Sequence, residues 1–168
     1  MSNVGSQMSE TLEIAKSSRH SKITGDFAES LVLYWLSKHG FECALVDHTG
    51  MDLIARNPHT SELMGISVKS RSRNVGREGS VVRFDRDNIE KLNAACSAFS
   101  CVPYFALVVD AWSAIQCFVV TSEYLVTLNG KRKHLYWGMG SKHMAQYKTD
   151  QRIIMFEFQA KTTRWWPK

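Results

Sequence analysis

The sequence lacks a long apolar run, a paired-cysteine motif and the histidine spacing of a zinc site. No apolar run reaches the roughly 18 residues that a membrane-spanning helix needs, and the polar residues 1–22 lack the apolar stretch of a secretory signal. We therefore expect an intracellular, cytoplasmic protein without a membrane partner. Its four cysteines form no Cys-x-x-Cys pair, and its six histidines show no zinc-type spacing with them, so we expect reduced thiols.

The size and charge of the chain favour one domain with an anionic partner. The 168 residues, 44% of them hydrophobic, suffice for one core and are too few for two full domains. We expect a flexible, Ser-rich segment over 1–20 and a single domain over 21–168, with its core at about 24–121 and a C-terminal extension over 122–168. The 21 basic and 16 acidic residues give a net charge of +5, which favours a polyanion such as nucleic acid.

Hydrophobic periodicity predicts the order α, β, β, β, α, β, β for the first two thirds of the chain. The predicted helices cover 25–39 and 85–100, the second with Asp85 as its N-cap. The predicted strands cover 41–46, 51–56, 62–73, 102–110 and 114–121. A short helix over 122–128 and a late strand over 151–159 follow. This order predicts an α/β fold.

Two aromatic and basic segments remain. Residues 131–148 mix Lys, Arg and His with Tyr136, Trp137 and Tyr147, and the C-terminus carries Trp165 and Trp166. Both segments could face a nucleic acid, because bases stack on aromatic rings. The tryptophan pair and an exposed strand edge could instead serve dimerisation.

The second and third predicted strands carry a possible catalytic pair. Asp52 lies at the start of the second strand, after the Gly50 turn, and Ser67 and Lys69 share the polar face of the third. If the strands pair, Asp52 and Lys69 meet at one end of the sheet. There a carboxylate can hold a hard cation and an ammonium can offset phosphate charge. Taken separately, Asp52 reads as a turn residue and Lys69 as an exposed lysine.

Glu29 is a third candidate. Leu33 and Leu36 follow it at helical spacing and place its carboxylate on a largely apolar face, where a carboxylate needs a partner or a metal. Alternatively, Asp26 caps the helix and Glu29 completes a capping box.

In this order, the motifs resemble the PD-(D/E)xK nuclease superfamily, particularly the branch similar to archaeal Holliday junction resolvases and restriction-like endonucleases. The resemblance covers roughly residues 24–109. It rests on Gly25-Asp-Phe-Ala-Glu29, Gly40-Phe41, Gly50-Met-Asp52-Leu-Ile-Ala55, Ile66-Ser-Val-Lys69-Ser-Arg71 and the run 84–109. It implies a restriction-endonuclease-like αβββαβ core with a central mixed sheet flanked by helices.

The resemblance also implies a function and the roles of several residues. It implies a metal-dependent endonuclease that hydrolyses DNA, with branched or structured DNA as possible substrates. It also implies a homodimer and no small-molecule cofactor. Asp52 would ligate Mg²⁺ or Mn²⁺ with support from Glu29 and the backbone carbonyl of Val68. Lys69 would position the attacking water or stabilise the transition state.

Ser67 departs from the family pattern, because an acid usually stands two residues before the lysine. Some restriction-like enzymes with Ser-x-Lys take the missing acid from the following helix, where Asp85, Asp87 and Glu90 are the candidates here. The alternative is a catalytically impaired nucleic-acid-binding protein or a subunit of a complex.

A run of arginines follows the third strand and could contact phosphates beside the cleft. It consists of Arg71, Arg73, Arg77, Arg83 and Arg86. An ordinary solvated face is the alternative. The sequence shows no helix-turn-helix or zinc finger, so we expect recognition of the DNA backbone or shape.

Overall fold

The computed structural model describes residues 15–161, which contain four helices and eight strands. In chain order these are α1 (His20–Lys38), β1 (Glu42–His48), β2 (Met51–Arg56), β3 (Leu63–Ser72), β4 (Val82–Asp85), α2 (Asp87–Phe99), β5 (Val102–Asp110), β6 (Ala114–Thr121), α3 (Ser122–Asn129), β7 (His134–Trp137), α4 (Ser141–Tyr147) and β8 (Ile154–Gln159). None of the helices within this range is long and apolar enough to span a membrane.

Six strands form a central mixed sheet in the order β1-β2-β3-β5-β6-β8. β3 and β5 are parallel neighbours, and the other adjacent pairs are antiparallel. Parallel neighbours need a crossover connection, which the segment containing α2 provides. The predicted α/β fold, with an αβββαβ core and a central mixed sheet flanked by helices, is confirmed.

The sheet separates two apolar clusters. On one side, Ala28, Val32 and Leu36 of α1 pack with Leu53 and Ile66 of the sheet. The other cluster joins α2 to strands of both sheets, and its fully buried members include Leu92, Phe105, Phe118 and Trp137. β2 contributes to both clusters, since Leu53 and Ala55 lie in the α1 cluster and Met51 lies in the other.

The first helix begins earlier than predicted, at His20 instead of residue 25. The Thr24 hydroxyl donates to the His20 carbonyl at 2.7 Å, and Lys22 pairs with Asp26 at 2.8 Å, so both contacts support the added turn. Asp26 therefore lies inside the helix, and the capping-box interpretation of Asp26 and Glu29 is wrong.

The structure contains three elements that the sequence pattern did not predict. β4 and β7 form a second, two-stranded antiparallel sheet, and α4 follows β7. The predicted N-cap role of Asp85 is wrong, because Asp85 ends β4 and the N-cap residue of α2 is Arg86. The late strand begins at Ile154, later than predicted.

Two of the aromatic residues predicted to face a nucleic acid are core residues. Trp137 is fully buried and its ring stacks on that of buried Tyr147, with centroids 4.2 Å apart. The expectation is wrong for Trp137, because the alternation of β7 turns its ring inward, while Tyr136 stays half-buried. Trp165 and Trp166 lie outside the described residues.

The four cysteines are free thiols, as expected. They are Cys43, Cys96, Cys101 and Cys117. Burial raises the pKa of Cys96 to about 11 and that of the fully buried Cys117 still further. Raised thiol pKa values make both cysteines unreactive packing residues.

Candidate active site

Pairing of β2 with β3 places Asp52 across from Ser67. The antiparallel register pairs Leu53 with Ile66, so Asp52, one residue earlier on β2, lies opposite Ser67, one residue later on β3. The Asp52 Oδ2 atom accepts a hydrogen bond from the backbone N–H of Val68 at 2.6 Å and another from the Ser67 hydroxyl at 3.2 Å. The carboxylate is thereby held in a fixed orientation at the start of β2.

Lys69 reaches the same hydroxyl. Its Nζ atom donates to Ser67 Oγ at 2.9 Å, so the Ser67 hydroxyl accepts from the lysine and donates to the carboxylate of Asp52. Ser67 is 1% exposed. Burial lowers the pKa of Lys69, and nearby Asp52 partly opposes that shift. The structure therefore brings together the three residues that the sequence pattern singled out on β2 and β3.

Glu29 of α1 lies within electrostatic reach of this trio. Partial burial raises the pKa of Glu29 first, and the nearby carboxylate of Asp52 raises it further, while Lys69 acts in the opposite direction. The charges of Asp52 and Lys69 therefore both act on the Glu29 carboxyl group.

The carboxyl groups present fit a weakly held divalent cation. Mg²⁺ is usually bound by one or two carboxylates, and water and substrate phosphates complete its coordination. Asp52 and Glu29 are the two carboxyl groups that would hold such an ion. No group of three or more His, Cys, Asp or Glu residues within residues 15–161 is placed to hold a metal ion. The carbonyl of Val68 as a further ligand stays a prediction.

The candidates for a relocated acid have surroundings of their own. Asp85 Oδ1 lies 2.9 Å from His134 Nδ1, across the small sheet. Asp87 and Glu90 are exposed in the first turn of α2. Neither these three residues nor others in the described range complete a metal-type cluster with Asp52 and Glu29. Their role as the missing acid stays a prediction.

Lys91 is a neighbour of the site that sequence analysis missed. It is one of the cations that lower the pKa of Lys69. The Gly50 turn brings it there: Gly50 has a φ of +91°, and a Cβ atom on it would lie 2.6 Å from the Lys91 carbonyl carbon. Lys91 comes near Lys69 only because α2 packs against the Gly50 turn, and no local sequence signal predicts that packing.

Two of the predicted phosphate-binding arginines connect β3 to the segment before and within β4. Arg71 donates to the carbonyl of Arg83 at 2.8 Å. Arg73 donates to the carbonyls of Ser80 at 3.1 Å and Val81 at 2.9 Å. A neutral carbonyl partner leaves the charge of a guanidinium uncompensated, so both side chains hold the structure together and still contribute positive potential.

The remaining arginines are placed differently. Arg83 lies 2.8 Å from His134 Nε2, Arg86 donates to the carbonyls of Gly130 and Arg132, and Arg77 is exposed. Phosphate binding by the five arginines stays a prediction.

A polar cleft of about 370 Å³ adjoins the end of β3. Lys16, His20 and Arg71 line it together with the hydroxyl groups of Ser17, Ser18, Ser21, Thr24, Ser70 and Ser72. Lys16 Nζ donates to the Ser72 carbonyl at 2.8 Å, which fixes the start of the described chain beside the strand. Cations and hydroxyl groups of this kind suit phosphate oxygens.

Comparison with known proteins gives a structural likeness and no sequence match. No protein-family model and no curated protein matches the sequence. The structure is similar to that of Archaeoglobus fulgidus Hjc, a Holliday junction resolvase from an archaeal hyperthermophile, with 20% sequence identity and a TM-score of 0.54; the match covers 73% of this chain and 88% of that chain. A bacterial homing endonuclease matches with 18% identity and a TM-score of 0.46, covering 73% of this chain and 81% of the other. The likeness to the resolvase shows that the two proteins share a fold.

Proposed function

We propose that the protein is a divalent-metal-dependent endonuclease that hydrolyses DNA phosphodiester bonds. The observation that carries the proposal is the hydrogen-bonded series Asp52–Ser67–Lys69 beside Glu29. It combines a fixed carboxylate, a second carboxyl group and a half-buried amine at one end of the sheet. These are the groups that metal-assisted phosphodiester hydrolysis needs.

Asp52 and Glu29 would hold Mg²⁺ or Mn²⁺. When bound, such an ion supplies Lewis-acid chemistry and lowers the pKa of water. The ammonium of Lys69 would offset the charge that develops on the phosphate. Ser67 acts as a positioning residue, because its hydroxyl joins the lysine to the carboxylate and so fixes the separation between them.

DNA is the proposed substrate because cations surround the site. Lys91 and Arg71 lie within electrostatic reach of Lys69, and the chain carries a net charge of +5. Counterion release from phosphates would then supply much of the binding energy. The fold likeness to a Holliday junction resolvase makes four-way-junction DNA a substrate to test. The homodimer that the sequence resemblance implies is proposed with it.

A second candidate is a nucleic-acid-binding protein or complex subunit that does not cleave. The observation that favours it is Ser67 itself, since its hydroxyl carries no charge and the described residues contain no third metal-binding carboxylate. Such a site retains its cationic surroundings and binds metal more weakly than a site with three acids.

Cleavage assays distinguish the two candidates. Purified protein is incubated with supercoiled, linear, single-stranded and four-way-junction DNA and with Mg²⁺, Mn²⁺ or EDTA. Asp52→Ala and Lys69→Ala are compared with Glu123→Ala and Lys142→Ala, which remove one acidic and one basic exposed side chain elsewhere. We expect metal-dependent cleavage that both site variants lose and both control variants keep.

Salt-sensitive DNA binding without cleavage of any substrate would contradict the nuclease and support the binding protein. If cleavage occurs, Asp85→Asn, Asp87→Asn and Glu90→Gln identify the relocated acid, because loss in one variant alone assigns that role. Full activity in all three would show that Asp52 and Glu29 suffice.

A further inference from the structure

A cationic groove lies away from the candidate active site, between the end of α3, strand β7 and helix α4. We call it the β7–α4 groove. Its volume is about 750 Å³, and Arg132, Lys133, His134, Tyr136 and His143 line it. Its lining residues within the described chain include no Asp or Glu. Positive charge and an aromatic ring therefore share one concave surface.

The charges at the groove are available to a ligand. Arg132, Lys133 and His143 are exposed, and none of them takes part in the salt bridges found within residues 15–161. Two solvated cations without carboxylate partners on one wall make an electrostatic site for phosphates.

The wall that carries these cations is anchored at both ends. The side-chain amide of buried Asn129 donates to the Tyr136 carbonyl at 3.2 Å, and its oxygen accepts from the Tyr136 N–H at 2.8 Å. Arg86 donates to the carbonyls of Gly130 and Arg132. The loop between α3 and β7 is thus fixed to its neighbours, and binding at a fixed loop costs less ordering entropy.

Glycine shapes the opposite wall. A Cβ atom on Gly138 would lie 2.6 Å from ring atoms of His143, so the imidazole ring lies directly on this glycine. Tyr147, whose ring stacks on that of buried Trp137, also lines the groove. His143 is held at the groove without filling it.

Hydrogen bonds connect the groove to Arg71, which lies two residues after Lys69 on β3. Arg71, on the same strand and face as Lys69, donates to the Arg83 carbonyl. The Arg83 guanidinium then lies 2.8 Å from His134, which lines the groove. Lys69, Arg71 and Arg83 therefore lead from the site towards the groove, and Asp85, which lies 2.9 Å from His134, is the one carboxylate that the described residues place on His134.

We infer that the β7–α4 groove binds a single-stranded nucleic-acid segment, with phosphates at Arg132 and Lys133 and a base against Tyr136. The inference rests on the proposed function, since the strand reaches the groove from the candidate active site. A double helix is a convex rod, which a cleft of this volume cannot admit. A flexible single strand can enter, and the pairing of a cationic wall with an aromatic ring is typical of proteins that bind single strands.

Binding of fluorescein-labelled oligo(dT) to the full-length protein in EDTA tests the inference without cleavage. Arg132→Gln/Lys133→Gln is compared with Lys142→Gln/Lys148→Gln, a matched removal of two exposed charges next to the groove. We expect the groove variant to reduce the slope of log affinity against log salt by about 1.4, since each lost single-strand phosphate contact removes about 0.7. Tyr136→Leu should weaken binding roughly tenfold or more through lost stacking, and Tyr136→Phe should retain it.

Equal affinities of the two charge variants would overturn the inference, and so would binding of duplex as tight as that of oligo(dT). If free dTMP binds as tightly as the oligonucleotide, the groove is a nucleotide site and the inference of a bound single strand is overturned. Cleavage and oligo(dT) binding by Lys69→Ala are measured side by side, so that the groove and the proposed nuclease are tested separately. Groove-dependent binding without any cleavage refutes the nuclease alone, and cleavage with groove-independent strand binding refutes the groove alone.

Discussion

Ser67→Asp tests whether Ser67 occupies the position of a missing acid. The carboxylate that it introduces would lie beside Asp52, which already accepts the Ser67 hydroxyl, and within reach of Lys69, whose Nζ atom is 2.9 Å from that hydroxyl. If the position is a metal-ligand position, the variant should bind Mg²⁺ more tightly than the wild type.

The structure gives the expected signs and sizes of the effects. Without metal, a carboxylate at a site that is 1% exposed repels Asp52 and loses hydration, while Lys69 offsets part of that cost. We expect a loss of about 1–3 kcal/mol, which in a 168-residue protein lowers the Tm by roughly 2–10 °C. Metal at about 100 times its Kd then restores about 2.7 kcal/mol, because it binds only the folded state.

Thermal unfolding in EDTA and in increasing Mg²⁺ measures both effects. Ser67→Asn is the matched control, since it has nearly the same shape and no charge. The Tm of Ser67→Asp should rise with Mg²⁺ by several degrees more than that of Ser67→Asn or the wild type. An equal response of the three proteins would refute the idea that position 67 faces a metal site.

Three further predictions follow from single contacts. Burial and the charge of Asp52 raise the pKa of Glu29 above its ordinary 4.5, so ionisation of Glu29 destabilises the folded state once the pH rises above that value. Glu29→Gln should therefore raise the urea midpoint of unfolding at pH 7 and change it little at pH 4. An equal change at both pH values would contradict this. Gly50→Ala should lower the Tm by several degrees, since a Cβ atom meets the Lys91 backbone and φ is positive, and wild-type stability would refute the close packing. If Trp165 and Trp166 form a dimer interface, replacing both with Ser should halve the mass measured by light scattering, whereas an unchanged mass would exclude that role.

The main elements of the fold could be predicted because each is long enough to show its own periodic pattern of apolar and polar residues. The bounds of β2, β5 and β6 match the prediction to the residue, since each strand has a clear apolar pattern and a turn at its end. β4 and β7 have four residues each and exist through pairing with one another across about fifty positions of sequence. A pattern in one short segment cannot reveal a partner that far away.

The same distinction separates the predicted parts of the site from the missed parts. Asp52, Ser67 and Lys69 lie on consecutive strands, so strand pairing alone predicts that they meet. Lys16 and Lys91 reach the site region through the packing of helices and of the preceding chain, which hydrophobic periodicity does not encode. The basic residues around Trp137 in the sequence suggested an exposed ring, whereas its place on β7 turns the ring into the core.

Ser67 changes the charge balance of the site without breaking its connections. Its hydroxyl still joins Lys69 to Asp52, so the geometry of the pair is kept while one negative charge is absent. With Asp52 and Glu29 opposed by Lys69, Lys91 and Arg71, the site favours phosphate more and a free cation less than a site with three acids would. Metal binding should then depend on bound DNA, since phosphate oxygens complete the coordination. Mg²⁺ should accordingly bind more tightly in the presence of DNA than alone, and calorimetric titrations that give one affinity under both conditions would exclude a shared site.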